Sequence, residues 1–488
     1  MKPLGTQRLS VFFARCAYGV CLLLIVLTFW QALSHQSSLL AQMLGGLVCG
    51  AVAVGLLWLA GKLSERLDWR LTLAGILVLC FVLRLFWVLR ARIEPLGDYE
   101  VFHNIAAYMA EHTSLEGNRY LALFPHIMGY SWFLSLFYKL LGPSPMVAAV
   151  VNVGLSTLSC ALLFFLGKKL WGRQGGTVAA LVWTFFPSQI IYNMFVLSEP
   201  LYTALILGVL LTSAQFDARA DAPSPKGAVG LGALAGLLAA ATNLCRPVGA
   251  ILLLCLLLWL GLVRLERWKG KAWRRNALCF LLALLVAYAA AGRAGRAYLD
   301  GRLGASSAST PGYNILVGFN VQSGGLWNAE DSALLFEIDA QPGATAASTQ
   351  AQMLERAKAR VADPEMDFGK LFRDKLYNLM GRDDSCVGYA DSALSRTEVL
   401  SALCNIYWYM ALLLALSGVV LALVRGDRGG LFPAMLYFVG LILAHMLVEV
   451  AGRYHYSLTI PLCLLAAYGA AGIPRLAARL RAKEKSPQ

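Results

Sequence analysis

The sequence predicts an all-α integral membrane protein with about 12 spanning helices. Of its 488 residues, 58% are hydrophobic and only 14% are charged, and the mean hydropathy is +0.61. A water-soluble globular domain needs a larger share of charged residues to cover its surface. Twelve segments are long apolar runs, and a helix needs about 20 such residues to cross about 30 Å of hydrocarbon. These observations exclude a water-soluble enzyme.

The apolar runs divide the chain into five regions. Residues 1–70 carry two N-terminal spans, and residues 71–294 form a transmembrane core with an outer loop at 91–145. Residues 295–400 form a cap loop, residues 401–474 hold the C-terminal spans, and residues 475–488 are a basic tail. The predicted spans are residues 11–32, 39–61, 71–90, 146–167, 175–192, 199–215, 228–245, 247–263, 275–294, 401–424, 430–449 and 456–474.

Charge decides how a thirteenth apolar run, residues 125–142, is placed. If this run crossed the bilayer, the basic residues at 168–173 would fall on the same side as the acidic loop at 91–124, against the positive-inside bias. We therefore predict a juxtamembrane helix along the outer interface. Both termini are then cytoplasmic, and the two long polar stretches, 91–124 and 295–400, are extracytoplasmic.

Net charge and motif content exclude several functions. The net charge of +14 would suggest a nucleic acid partner in a soluble protein. Here the basic residues lie in short segments between apolar runs, so we expect a lipid bilayer and no nucleic acid. Nucleotide hydrolysis, zinc proteolysis and serine esterase chemistry lack their motifs, GxxxxGK[ST], HExxH and GxSxG. Two GxxxG pairs, Gly46/Gly50 and Gly232/Gly236, predict close helix packing.

Asp98 is the most informative residue of the first outer loop. It follows Gly97, which permits a turn, and it starts a helical pattern with an apolar face at Phe102, Ala106 and Met109. Asp is a common N-cap residue, so a purely structural role is one interpretation. The other is a general base held beside the bilayer, where an acceptor hydroxyl could meet a lipid-borne donor. Position alone leaves both open.

Four further charged residues lie at the outer ends of other spans, namely Glu199, Arg246, Glu449 and Arg453. Snorkelling of side chains to the interface and one structural Glu-Arg pair would explain them without a function. Their arrival at one face from distant parts of the chain favours a membrane-embedded active site. Arginine suits the phosphate of a lipid carrier, because the planar guanidinium stays charged and binds phosphate in a bidentate way.

Three more residues are candidates for substrate contact. His103 and His126 lie in the outer loop near Asp98, and a histidine there can bind substrate or only pack. Tyr454 follows Arg453 and belongs to the same set of substrate-binding candidates. No triplet of residues has metal-ligand spacing, so no metal ligands are assigned.

The order of these motifs resembles the polyprenyl-phosphate-dependent glycosyltransferases of the GT-C fold, which include protein O-mannosyltransferases and the aminoarabinose transferases of lipid A. The resemblance covers about residues 71 to 474. It rests on the segments RLFWVLR, GD at 97–98, FPHIMGYSWFLSLFYKLLG, GKKLWGRQGGTVAALVWTFFPS, SEPLYT, NLCRPVG, GFNVQSGGLWNAED and AGRYHYSLTIP.

The resemblance implies a multi-span helical bundle with extracytoplasmic juxtamembrane helices and a small outer loop region. It implies transfer of a monosaccharide from a polyprenyl-phosphate carrier to a glycan, lipid or protein hydroxyl, with inversion. Asp98 would be the catalytic base, Glu199 the second outer acid near the acceptor or metal, and Arg246 and Arg453 the contacts of the carrier phosphate.

The chain departs from that family in three places. Residues 124–126 are Phe-Pro-His where the family often has Pro-Pro or Lys-Pro-Pro, so a phosphate-binding lysine is absent there. The first loop has no Asp-x-Asp, which weakens the case for a divalent metal without closing it, and no other cofactor is expected. Two spans precede the similar region.

The alternative functions are a transporter or flippase of a lipid-linked sugar and a non-catalytic scaffold.

Overall fold

The structure is a computed structural model that describes residues 3–470, and in that range it consists of helices without any strand. In chain order the α-helices are α1 (Pro3–His35), α2 (Leu39–Arg66), α3 (Trp69–Arg90), α4 (Asp98–Glu111), α5 (Arg119–Leu123), α6 (Ile127–Leu141), α7 (Pro145–Thr184), α8 (Pro187–Ile191), α9 (Glu199–Arg219), α10 (Lys226–Cys245), α11 (Gly249–Leu258), α12 (Lys271–Leu303), α13 (Gly312–Gly318), α14 (Ala329–Asp339), α15 (Ala346–Val361), α16 (Phe368–Leu376), α17 (Ser385–Gly388), α18 (Thr397–Arg425), α19 (Phe432–Leu447) and α20 (residues 459–470). The predicted basic tail at 475–488 lies outside the described residues.

Eight of the described helices are long and apolar enough to cross a membrane, namely α1, α2, α3, α7, α9, α10, α12 and α18. Two shorter apolar helices are Gly249–Val263, which is α11 with its π-helical continuation, and α19. The prediction of a multi-pass, all-helical membrane protein is confirmed. The predicted count of about 12 spans is not confirmed, because eight described helices are long and apolar enough to cross and two more are short.

Part of the difference in count lies in α7, which contains two antiparallel arms. The chain leaves helical geometry at Trp171 and at Gly172, whose φ is +78°. The arms then pack together, since the indole nitrogen of Trp183 donates to the carbonyl of Ser156 at 3.0 Å. The two predicted spans at 146–167 and 175–192 correspond to these arms. The second arm ends at Thr184, because Pro187 disfavours helical geometry in the residue before it.

Glycine pairs allow the long helices to approach closely, as predicted. A Cβ added at Gly46 of α2 would lie 2.9 Å from Cβ of Tyr409 in α18, and one at Gly236 of α10 would lie 2.9 Å from Cβ of Ala287 in α12. Both distances are below normal packing separations. The N-terminal helices therefore pack on the C-terminal part of the bundle, and α10 packs on α12.

The run at 125–142 forms the 15-residue helix α6, which packs against α4 and the end of α10. Trp132 of α6 is 44% exposed, whereas Tyr130 and Tyr138 are buried. Tyr130 lies edge-on to Phe102 of α4, with ring centroids 5.3 Å apart. The region between α12 and α18 holds the short helices α13–α17, and α12 continues nine residues past its predicted end at 294.

Candidate active site

Five elements bring charged residues to one place at one end of the bundle. Asp98 is the first residue of α4, Glu199 is the first residue of α9, and Arg246 follows α10. Glu449 follows α19, and Arg453 lies in the 3-10 segment Gly452–Leu458. We call these five residues the ionic cluster.

Arg453 is the centre of the ionic cluster. Its Nη2 donates to Oδ2 of Asp98, and its Nε lies 3.9 Å from Oε1 of Glu199. Nη1 of Arg246 lies 3.7 Å from the same oxygen of Glu199. The buried carboxylate of Glu199 is therefore shared by two guanidinium groups, as a charge in a poorly hydrated site requires.

Asp98 does not cap its helix. The N-cap of α4 is Gly97, with φ +57°, and no side chain caps this end. The Asp98 side chain instead pairs with Arg453 and is 49% exposed, so a second molecule can reach it. The capping interpretation is therefore wrong. Burial by itself would raise the pKa of this carboxyl, but the positive charge and hydrogen bond of Arg453 hold it below its usual value. Asp98 is therefore ionised at neutral pH.

Arg246 is the second cation of the ionic cluster beside Glu199. Its guanidinium carbon lies 3.9 Å from the ring centroid of Tyr454, in a cation-π contact, and its side chain is 14% exposed. Burial alone would lower the pKa of Arg246, but Tyr454 and Glu199 raise it. The group therefore keeps its charge, and its contact with Glu199 at 3.7 Å leaves donor groups for an anionic ligand.

Glu449 contacts neutral partners rather than an arginine. Oε1 accepts a hydrogen bond from the hydroxyl of Tyr454 at 3.2 Å, and Oε2 accepts one from Nδ2 of Asn314 at 3.4 Å. No ion pair joins it to Arg453 among the described residues. Glu449 and Arg453 therefore form no ion pair, and the Glu-Arg pairs of the cluster are those of Glu199 with Arg246 and Arg453. Burial raises the pKa of Glu449, so this residue is a weak candidate for a charged base.

The two loop histidines lie in different surroundings. Burial and the nearby Arg246 lower the pKa of His126 to about 4, so its imidazole is neutral at neutral pH and brings no positive charge in place of the family's lysine. Nδ1 of His103 is bonded to the hydroxyl of Tyr138 at 2.8 Å. That bond joins α4 to α6, and His103 makes no described contact with the ionic cluster.

The ionic cluster does not fit a divalent metal. Asp98 and Glu199 both face the guanidinium of Arg453, which already supplies the positive charge between them. Within residues 3–470, no group of three or more His, Cys, Asp or Glu side chains is arranged to hold a metal ion.

Lys375 of α16 is a residue that sequence analysis missed. Its side chain is fully buried, and Nζ donates to the carbonyls of Gly318 at 2.7 Å, Met446 at 3.0 Å and Val448 at 2.8 Å. These carbonyls end α13 and α19, where helix dipoles favour a cation. Lys375 thus holds the backbone immediately before Glu449. No signal in the α16 pattern distinguished it from a surface lysine.

Burial lowers the pKa of Lys375 to about 7, from 10.5 in the unfolded chain. Between these values the unfolded state binds the extra proton, so this group makes stability rise with pH from about 7 to about 10. We expect the thermal midpoint of the detergent-solubilised protein to rise more between pH 7 and pH 9 than that of Lys375→Met. Parallel pH profiles of the two proteins would contradict a lowered pKa of the buried Lys375 amine.

A second buried pair fixes the segment that carries Arg453. Nε2 of His455 lies 2.7 Å from Oδ1 of Asp383, and Nδ1 lies 2.6 Å from the carbonyl of Leu379. A carbonyl only accepts, so Nδ1 is protonated, and one further proton is shared between Nε2 and Asp383. Burial raises the pKa of Asp383. This pair anchors the Gly452–Leu458 segment to the region before α17, so that Arg453 is held rigidly.

Several solved structures are similar to this chain in fold. No protein-family model and no curated protein matches the chain. The archaeal oligosaccharyltransferase AglB from Archaeoglobus fulgidus, in complex with an inhibitory peptide and a dolichol-phosphate, is similar over 87% of this chain and 53% of its own, with 12% identity and a TM-score of 0.46. The oligosaccharyltransferase from Archaeoglobus fulgidus in the apo form matches over 84% and 52%, with 11% identity and a TM-score of 0.46.

ArnT from Cupriavidus metallidurans, bound to undecaprenyl phosphate, is similar over 86% of this chain and 81% of its own, with 14% identity and a TM-score of 0.36. The chain spans about half the length of the two oligosaccharyltransferase chains. Two of the three structures contain a polyprenyl phosphate, which is dolichol-phosphate in AglB and undecaprenyl phosphate in ArnT.

Proposed function

We propose that this protein is a membrane glycosyltransferase that transfers a monosaccharide from a polyprenyl-phosphate carrier to an acceptor hydroxyl on the extracytoplasmic face. The observation that supports it most is the ionic cluster. An ionised, half-exposed Asp98 stands beside two arginines, and all three lie at helix ends at one end of a membrane bundle. A base next to anion-binding groups is what displacement of a phosphate requires.

In the proposed reaction, Asp98 accepts the proton of the acceptor hydroxyl as its oxygen attacks the anomeric carbon. The bond from that carbon to the phosphate oxygen breaks, and its electron pair leaves with the polyprenyl phosphate. Attack opposite to the leaving group inverts the configuration. Arg246, whose guanidinium has only the 3.7 Å contact with Glu199, stabilises the charge on the departing phosphate. Arg453 orients Asp98 and adds a second positive charge beside that phosphate.

The donor class follows from where the site is proposed to lie. Nucleotide sugars are cytoplasmic, so an enzyme that works outside needs a donor anchored in the membrane by a lipid. A bundle whose helix ends carry the cluster lets the lipid stay in the bilayer while its phosphate reaches Arg246. The proposed acceptor is a hydroxyl of a glycan, lipid or protein, and it can reach Asp98 because this side chain is 49% exposed.

A transporter or flippase of a lipid-linked sugar is the alternative function. Such a protein uses charged residues that line a path through the bilayer. Arg84 is a charged residue inside a long apolar helix, but it is fully buried and donates to the carbonyls of Trp183 at 2.9 Å and Thr184 at 3.1 Å. It therefore stabilises helix packing and lines no open path, which disfavours transport.

The test is an assay of purified protein in detergent against a panel of polyprenyl-phosphate monosaccharides, with release of free carrier phosphate as the readout. Detergent removes the two compartments, so a transporter cannot produce a signal while a transferase can. We expect consumption of at least one carrier-linked sugar and none of the matching nucleotide sugar. Consumption of the nucleotide sugar alone would contradict the proposal.

The proposed orientation gives a separate prediction. In a cysteine-depleted background, single cysteines at Ser37 and Ser309, both exposed, are expected to react with an impermeant maleimide in intact cells. A cysteine at the exposed Ser224, between α9 and α10, is expected to react only after the cells are permeabilised. The reverse labelling pattern would move the ionic cluster to the cytoplasmic side.

A further inference from the structure

A pocket lies between the end of α1 and the short helix α16, apart from the ionic cluster. Its volume is about 380 Å³, and its lining includes Trp30 and His35 of α1 together with Lys370, Arg373 and Asp374 of α16. α1 belongs to the two N-terminal helices, which precede the part of the chain with the family resemblance. The proposed transfer reaction uses none of these residues.

The pocket carries an excess of positive charge. Asp374 is the acidic residue of the pocket. Its carboxylate lies 2.7 Å from Nζ of Lys370 and 2.9 Å from Nε2 of His35. Nδ1 of His35 lies 2.9 Å from the carbonyl of Gln31, so both ring nitrogens face acceptor oxygens. The side chain of Arg373 has no hydrogen bond or ion pair to another residue of the described chain, and its exposed guanidinium is available for an anion.

The surroundings of the pocket mark a membrane surface. Trp30 is 64% exposed and continues the stripe of exposed apolar residues on α1 that includes Leu23 and Val26. On α16, Phe368 and Phe372 are also exposed, on the same short helix as Lys370 and Arg373. Exposed aromatic residues beside cations are typical of a helix that lies at the boundary between lipid headgroups and acyl chains.

We propose that this pocket binds the phosphate of an anionic phospholipid headgroup, in the leaflet on the same side as the ionic cluster. Arg373 and Lys370 contact the phosphate, and Trp30, Phe368 and Phe372 contact the acyl chains beside it. The charge of the pocket is complementary to an anionic headgroup, and its exposed aromatic rim is complementary to lipid rather than to a soluble anion. Since α16 also carries Lys375, a bound lipid stabilises the helix that holds the backbone before Glu449.

The test compares wild type with Arg373→Glu, because Arg373 has no partner within the described residues and its loss leaves folding intact. Arg356→Glu on α15, also exposed, is the matched control. Each protein is titrated in detergent micelles with mixtures of phosphatidylglycerol and phosphatidylcholine, and the bound lipids are counted by native mass spectrometry. We expect Arg373→Glu to weaken binding about 30-fold, since each unit of charge near an anionic lipid changes affinity about fivefold. Arg356→Glu is expected to bind like wild type.

Three results would overturn the proposal. One is equal retention of phosphatidylglycerol by Arg373→Glu and wild type, and another is no preference of wild type for phosphatidylglycerol over phosphatidylcholine. The third is full displacement of the bound lipid by millimolar inorganic phosphate, which would assign the pocket to a free anion. Retention of the lipid in phosphate buffer by wild type, with loss in Arg373→Glu, supports the lipid site.

Discussion

Asp98→Asn is expected to lower the turnover of sugar transfer by about 100-fold or more, with donor binding largely kept. A carboxamide cannot take up the acceptor proton, and general base catalysis contributes about 10² to 10⁴ in rate. The helix start is expected to survive, because Asp98 makes no capping hydrogen bond and Gly97 holds the N-cap position. The measurement is kcat and KM for the carrier-linked sugar, together with the thermal midpoint of the variant.

Glu100→Gln is the matched control, since Glu100 is an exposed acid in the same first turn of α4. It removes the same charge near the N-terminus of the helix without touching the ionic cluster. We expect near wild-type turnover from this variant. If Asp98→Asn folds normally and also transfers sugar at the wild-type rate, the base lies elsewhere, and Glu199 becomes the next candidate.

Arg453→Ala is expected to have the second large effect, on stability and on transfer together. It removes a cation from the buried Glu199 and releases Asp98 from its fixed position. Leaving a buried acid without one of its cations costs about 3 kcal/mol, near the lower end for broken buried pairs because Arg246 stays beside Glu199. We expect a lower thermal midpoint, weaker donor binding and a reduced rate.

Arg453→Lys and Arg246→Ala separate these contributions. Lysine keeps the charge, so it is expected to restore much of the stability, but a single ammonium cannot face Asp98 and Glu199 in the same fork-like way. Transfer is therefore expected to stay low.

Arg246→Ala removes the cation over Tyr454 and is expected to raise KM for the donor as well as lower kcat. An unchanged KM in both alanine variants would remove the arginines from donor binding.

The membrane architecture could be predicted from the sequence because long apolar runs have few alternatives in a bilayer. The same apolar runs also predict that Asp98, Glu199 and Arg246 lie close to helix ends. Their pairing does not follow from these runs, because Asp98 and Arg453 are 355 residues apart and no local pattern links them. The two predicted spans at 146–167 and 175–192 lie on either side of the reversal inside α7. The basic segment at 168–173 separates them because it is a poor component of a spanning helix.

The supports of the site could not be predicted. Lys375 lies in an amphipathic pattern whose polar positions look alike, and only the tertiary fold places its amine against the carbonyl ends of α13 and α19. The pair of Asp383 and His455 joins the cap region to the segment Gly452–Leu458 over 72 residues. Such groups are specified by long-range packing, because burial of a charge is tolerated only where partners from distant elements meet it.

The proposed mechanism requires that a lipid-linked sugar is transferred with inversion at a site that contains Asp98. The most direct measurement follows free polyprenyl phosphate and the glycosylated acceptor in one reaction with purified wild-type protein and Asp98→Asn, and determines the anomeric configuration of the product by NMR. We expect equimolar release of carrier phosphate and formation of a product of inverted configuration by wild type, with both lost in folded Asp98→Asn. A product of retained configuration, or an equal yield from the two proteins, would contradict the account.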